Sequence, residues 1–174
     1  MADATNVVVG VTGKVWAGAT SATAPTASDS TLTGFTDLGF VSADGLSITP
    51  EKSTSNILAW QDSALVRTVV TESSLTYSFM LLETTEDAIE LYFGSTLTSG
   101  KIQVNPASTG GRRSFVFDII DGNKVIRHYV PSGEITSVEA QTVASGDAMG
   151  YGVTLTAYQT GGRSADVFYS EFEV

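Results

Sequence analysis

The stretch LVRTVVTESSLTYSFMLL, residues 65–82, decides the fold class. Its period is close to two. Leu65, Arg67, Val69, Thr71, Ser73, Leu75, Tyr77, Phe79 and Leu81 fall on one face; Val66, Thr68, Val70, Glu72, Ser74, Thr76 and Ser78 fall on the other. A helix would bring apolar residues back every three or four positions, whereas alternation marks a strand with one buried face. The reading is therefore one long strand, or a bent pair, with its strongly apolar end at Tyr77–Leu81.

Working outward, the same signal recurs. Met149, Tyr151, Val153, Leu155 and Ala157 alternate with Gly150, Gly152, Thr154, Thr156 and Tyr158. Val7, Val9 and Val11 predict a first strand that closes at Gly13, and a short strand is expected over 38–41. Further strands are expected over 101–105, 114–121, 124–130, 134–144 and 166–174. Asp121-Gly122-Asn123 joins two of them as a hairpin turn. Residues 17–34, small and hydroxylic with a proline, predict a long mobile loop. One helix stands out, TTEDAIELYFG at 84–94: Thr84 or Thr85 can cap it, Glu86 and Asp87 suit its positive end, and Gly94 can terminate it. The sum is a single all-β domain with one short helix, a β-sandwich or partial barrel.

Composition narrows function by exclusion. The 174-residue chain carries 9 basic and 19 acidic residues, a net charge of −10, which opposes the phosphate neutralisation that nucleic-acid binding needs. Charged residues make up 16%, below the roughly 25% of an average domain. Serine and threonine number 43, so hydroxyls replace charges, as on a polar uncharged skin or on a surface covered by copies of the chain. No cysteine is present, which removes disulfides, thiolate metal sites and cysteine nucleophiles. Residues 1–6 lack a basic run and Val7–Val11 is too short for a signal or a span, so export and membrane anchoring are not expected.

Catalysis finds no foothold. His128 is the sole histidine and sits in a strand pattern with no nucleophile elbow. The acidic pairs Glu86/Asp87, Asp118/Asp121 and Glu171/Glu173 are accounted for by helix capping, a hairpin turn and a shared strand face. No metal or cofactor motif occurs, and no enzyme activity is expected. Trp16 and Trp60 suit either an interface or a core edge.

Three stretches, DLGFVSADGLSI (37–48), AWQDSALVRTVVTESSLTYSFMLLE (59–83) and TEDAIELYFG (85–94), together resemble the major tail tube protein family of siphophages, especially those infecting actinobacteria. The likeness covers about residues 35–95. It implies a β-sandwich or partial barrel flanked by a helix, similar to the subunit of type VI secretion tubes. It also implies hexameric rings stacked into a hollow tube around a tape measure protein and closed by terminator or tip proteins. Genomic DNA would leave through the lumen without being bound. Such a protein would reside in the virion after assembly in the host cytoplasm.

The segment 42–62, in which 46–55 can run extended with an interruption at Pro50, has turn chemistry at Asp44-Gly45 and Pro50 and is expected to be an inter-subunit loop. Its contact candidates are Asp44, Ile57, Leu58, Trp60 and Asp62, with Phe172 and residues 2–6 as weaker ones. Glu72, Ser74, Thr76, Ser78, Thr154 and Thr156 are candidates for facing the lumen. The competing expectations are a carbohydrate- or cell-surface-binding β-sandwich, which would need clustered exposed aromatics, and a hydrolase with a dispersed acidic pair.

Overall fold

A computed structural model describes residues 6–170. The strands are β1 (Thr12–Thr23), β2 (Thr33–Asp37), β3 (Val41–Leu58) and β4 (Leu65–Leu81), then β5 (Arg113–Asp121), β6 (Lys124–Val138), β7 (Tyr151–Ala157) and β8 (Asp166–Tyr169). The helix α1 (Glu86–Phe93) lies between β4 and β5. All pairings are antiparallel in one sheet, order β2-β1-β5-β6-β7-β4-β3, with β8 beside β6.

That sheet is curled. Tyr77 of β4 and Phe117 of β5 are three places apart along it, yet their rings stack with centroids 4.8 Å apart. β1, near one end, also meets β3 at the other. Val15, Phe79, Leu81, Phe115, Val130, Val153 and Leu155 fill the interior, and α1 covers β7 and β6 through Ala88 and Leu91. The fold is thus all-β with one short helix, in the form of a partial barrel. α1 starts on Thr85, whose hydroxyl accepts from the Ala88 N–H, and stops at Gly94 with φ of 62°, a left-handed value that suits glycine.

Several expectations are corrected. Val7–Val11 forms no strand: the Val9 N–H donates to an Asp121 carboxylate oxygen and the Val11 N–H to the Val9 carbonyl, so the segment turns on itself. Nor is 17–34 one loop. β1 continues to Thr23 and β2 begins at Thr33, because Gly18 lets the β2 backbone approach closely and small hydroxyl residues fit an edge ladder. The remaining loop, 24–32, is pinned by Arg127, as described below. Leu38–Phe40 links β2 to β3 rather than forming a strand, and 101–105 contributes only an isolated bridge between Thr98 and Lys101. The expected strands at 124–130 and 134–144 merge into β6, which ends at Val138, so 139–144 is not strand. Pro131 is tolerated within β6 because β8 pairing ends at Tyr129 and β7 pairing starts at Gly133, so no ladder N–H is needed between them. β8 ends at Tyr169, and residues 171–174 lie outside the described part.

The largest correction concerns 42–62, which is mostly strand. Ser42–Gly45 is a short excursion, since Val41 pairs with Leu81 and Leu46 already pairs with Phe79. From Leu46 the chain runs as β3 to Leu58 along β4.

Candidate assembly surfaces

β4 pairs with β7 only over Thr76–Leu81, so residues 50–75 form a two-stranded arm that leaves the barrel. Nine residues from Pro50 to Leu58 span about 30 Å at strand rise. Along the arm Ala59, Val69, Ser74 and Leu75 are half-buried and the rest exposed. At its end the Ala64 N–H donates to the Gln61 carbonyl at 3.3 Å around Asp62 and Ser63, whose φ values of 56° and 52° are both left-handed. That pair of signs is what a tight hairpin turn requires. Asp62 is therefore a turn residue, tolerated there because a short polar side chain accepts this conformation.

A register shift interrupts the arm. Ser53 pairs with Glu72, but Thr54 pairs with Val70, leaving Thr71 as an extra residue whose hydroxyl donates to the Ser53 carbonyl. Paired residues share a face, so Glu72 and Val70 point to opposite sides. The alternation read over 65–82 therefore reverses at Thr71: Val70 and Thr68, not Val69 and Arg67, continue the core side. Beyond the bulge both faces carry uncovered apolar side chains. Ile57, Leu58, Leu65, Val66 and Val70 are each at least half exposed, and Trp60 is 98% exposed. Isolated exposed apolar residues are ordinary, but six on one projecting hairpin form an exposed apolar patch.

The second surface lies outside the barrel wall. Ser47, Thr49 and Glu51 of β3 pair with Ser78, Thr76 and Ser74 of β4, and Thr76 and Ser78 pair with Thr156 and Thr154 of β7. The hydroxyls interlock: Ser78 Oγ lies 2.9 Å from Thr154 Oγ1, Thr136 Oγ1 lies 2.7 Å from Thr156 Oγ1, and Ser74 donates to Glu51 at 3.4 Å. Glu134 joins the same face opposite Thr156. Of the six lumen candidates, Ser74, Thr76, Ser78, Thr154 and Thr156 are thus brought together, and Glu72 extends them onto the arm root opposite Ser53. The ionisable residues at these positions are Glu51, Glu72 and Glu134, all acidic.

The contact candidates divide. Ile57, Leu58, Trp60 and Asp62 cluster at the arm tip, whereas Asp44 sits on the Ser42–Gly45 excursion, its carboxylate accepting from Ser42. Phe172 and residues 2–5 lie outside the described residues.

What looked like possible chemistry is structural. His128 Nδ1 lies 3.2 Å from the Tyr77 hydroxyl, a bond in which the neutral ring can accept. Burial lowers the His128 pKa and pushes that of Tyr77 up to about 12. Asp118 is no turn residue: it lies within β5, buried, its two oxygens each 2.7 Å from the Arg127 guanidinium. Arg127 Nη1 also donates to the Ser30 carbonyl at 2.6 Å and so holds the 24–32 loop, where Pro25 and Ser28 are buried. Trp16 is half-buried near this guanidinium, 6.0 Å from its ring centre. Among the described residues no acidic or histidine cluster could hold a metal, and no helix is long and apolar enough to cross a membrane.

Compared with known proteins, residues 1–171 match the family described as phage tail tube protein. No curated protein matches. Among solved structures, a chain from the virion of a native gene transfer agent (GTA) particle is 11% identical with a TM-score of 0.42; the likeness covers 78% of this chain and 88% of that one.

Proposed function

Since the chain belongs to the phage tail tube protein family, we propose that it assembles into hexameric rings that stack into a hollow tube through which the genome is delivered. It is a structural component of the phage tail. The proposal adds the ring, the channel and the partners: a tape measure protein within the tube, terminator or tip proteins at its ends, and assembly in the host cytoplasm before incorporation into the virion. The chain works by association and not by catalysis.

The observation that carries this reading is the arm. A hairpin of about 30 Å with an apolar tip gains nothing from its own barrel, and it serves once the tip is buried against another subunit. Ile57, Leu58 and Trp60 make that contact, with Asp62 setting the turn and Asp44 and Phe172 contributing elsewhere.

The hydroxyl face supplies the channel wall. Glu72, Ser74, Thr76, Ser78, Thr154 and Thr156 face the lumen in this reading, where acidic and uncharged groups repel phosphates over roughly 8 Å at physiological salt and offer DNA no cation to pair with. Electron microscopy of the concentrated protein tests the proposal. Uniform hollow tubes built from six-membered rings are expected, and a protein that stays monomeric at every concentration overturns it.

A further inference from the structure

The curled sheet does not close, and its open seam forms a cleft of about 850 Å³ between the first half of β1 and the first half of β3. Two strand edges border it. β1 pairs with β2 only from Trp16 onward and the Val15 carbonyl accepts from the Leu38 N–H, which leaves Thr12–Lys14 without a strand partner on that side, and β3 is the last strand of the sheet. Val11 and Phe40 stand exposed on the rim, Phe40 at 75%. Four carboxylates line the cleft. Asp118 is neutralised by Arg127 and Asp37 by Lys14, so Asp44 and Glu83 remain without a cation.

We propose that this cleft receives the arm tip of a second copy of the chain, Trp60 packing against Phe40 and Arg67 approaching Asp44. The proposal rests on the tube reading and names the surface that the arm finds.

Length excludes the copy's own cleft. Leu46 lines the cleft and Leu58 ends the same strand, twelve residues or about 40 Å farther on. Charge supplies complementarity. Copies carrying −10 each repel one another, so association needs local pairs of opposite sign. Most cations are engaged within the chain: Lys14, Arg113, Arg127 and Arg163 in ion pairs, and Arg112 over the Tyr158 ring. Among the described residues Lys52, Arg67 and Lys101 have no such partner, and the first two sit on the arm. Arg67 is the basic residue beyond the Thr71 bulge, beside the exposed apolar tip. A tip of one copy meeting a cleft of the next is a contact between unlike patches, which does not saturate at a pair and so builds rings or stacks.

The absence of cysteine in the chain makes the test clean. Gln61→Cys at the tip combined with Ala43→Cys on the cleft wall, which leave Trp60 and Phe40 in place, should after assembly and oxidation give a ladder of covalent multimers on a non-reducing gel, while either single variant gives dimers at most. Arg67→Asp and Asp44→Arg should each raise the concentration needed for assembly at least about tenfold, and the double variant should return to within about threefold of the unaltered protein. All four residues are exposed, and unchanged melting temperatures check that the variants fold. If tubes form but the double cysteine gives no ladder and Arg67→Asp assembles normally, the docking site is wrong and the tube reading stands. If the unaltered protein forms no assembly at all, the tube reading itself fails and the docking site with it.

Discussion

Replacing Trp60 by alanine separates folding from assembly more sharply than any other single change. The side chain is 98% exposed and extends from the end of an arm whose two strands pair only with each other. Its loss should therefore alter the stability of the isolated subunit by no more than about 0.5 kcal/mol. At a subunit contact the same side chain is the largest apolar group available, and central tryptophans at interfaces are typically worth about 2–4 kcal/mol. One tip is used for each subunit added, so the concentration at which assembly begins should rise roughly 30- to several-hundred-fold, at about 1.4 kcal/mol per factor of ten. Pelleting across a concentration series measures that threshold, and thermal melting of the unassembled subunit measures the stability. If the threshold moves by less than about threefold, Trp60 is not an anchor. If the melting temperature falls by many degrees, the tip packs on its own chain and the arm has been misread.

Three other outcomes follow from the interior and the outer face. Arg127→Ala leaves Asp118 buried without its cation and frees the 24–32 loop; a cost of about 3–5 kcal/mol is expected, which at roughly 0.37 kcal/mol/K of unfolding entropy lowers the melting temperature by about 8–14 °C, and a shift under about 3 °C would show the pair to be dispensable. The burial of Tyr77 and His128 makes stability fall at both ends of the pH scale. His128 has a lowered pKa, so its contribution is complete above about pH 6.5 and fades as acid protonates the unfolded chain first; Tyr77, raised to about 12 from 10.0, keeps its contribution below pH 10 and loses it as pH climbs towards 12. Melting curves of His128→Gln should lack the loss that sets in as pH falls below about 6.5, and an unchanged profile would show that His128 makes no such contribution. Finally, Glu72→Lys should yield tails that assemble but release DNA slowly, most clearly at low salt; normal ejection at every salt concentration would mean that Glu72 does not face the channel.

Much of this was legible in residues 65–82 and 84–94, where alternation and capping speak locally. β4 and α1 stand where period and end signals place them. The arm was legible in part: Ile57, Leu58 and Trp60 show no core-facing period and the structure leaves them exposed, but nothing in a single strand tells that 50–58 pairs only with 65–75 and leaves the barrel. The bulge at Thr71 was hidden for the same reason, since a shift of register is a relation between two strands. β1 was missed because a run of alanine, glycine, serine and threonine carries little hydrophobic period, and its edge position is set by Gly18 and β2. The Arg127–Asp118 pair had a signal that went unused. Counting outward from the Gly122-Asn123 turn puts Asp121 opposite Lys124, and three steps farther Asp118 opposite Arg127.

The central claim is that one copy's arm holds the next copy in a stack that encloses a channel. A reconstruction of assembled tubes by cryo-electron microscopy measures it most directly. The account predicts six subunits per ring, residues 50–75 bridging to the neighbouring ring with Trp60 buried, and the Thr76–Ser78 and Thr154–Thr156 face turned to the lumen. Tubes in which the arms stand free in solvent, or in which that hydroxyl face lies on the outside, would contradict it.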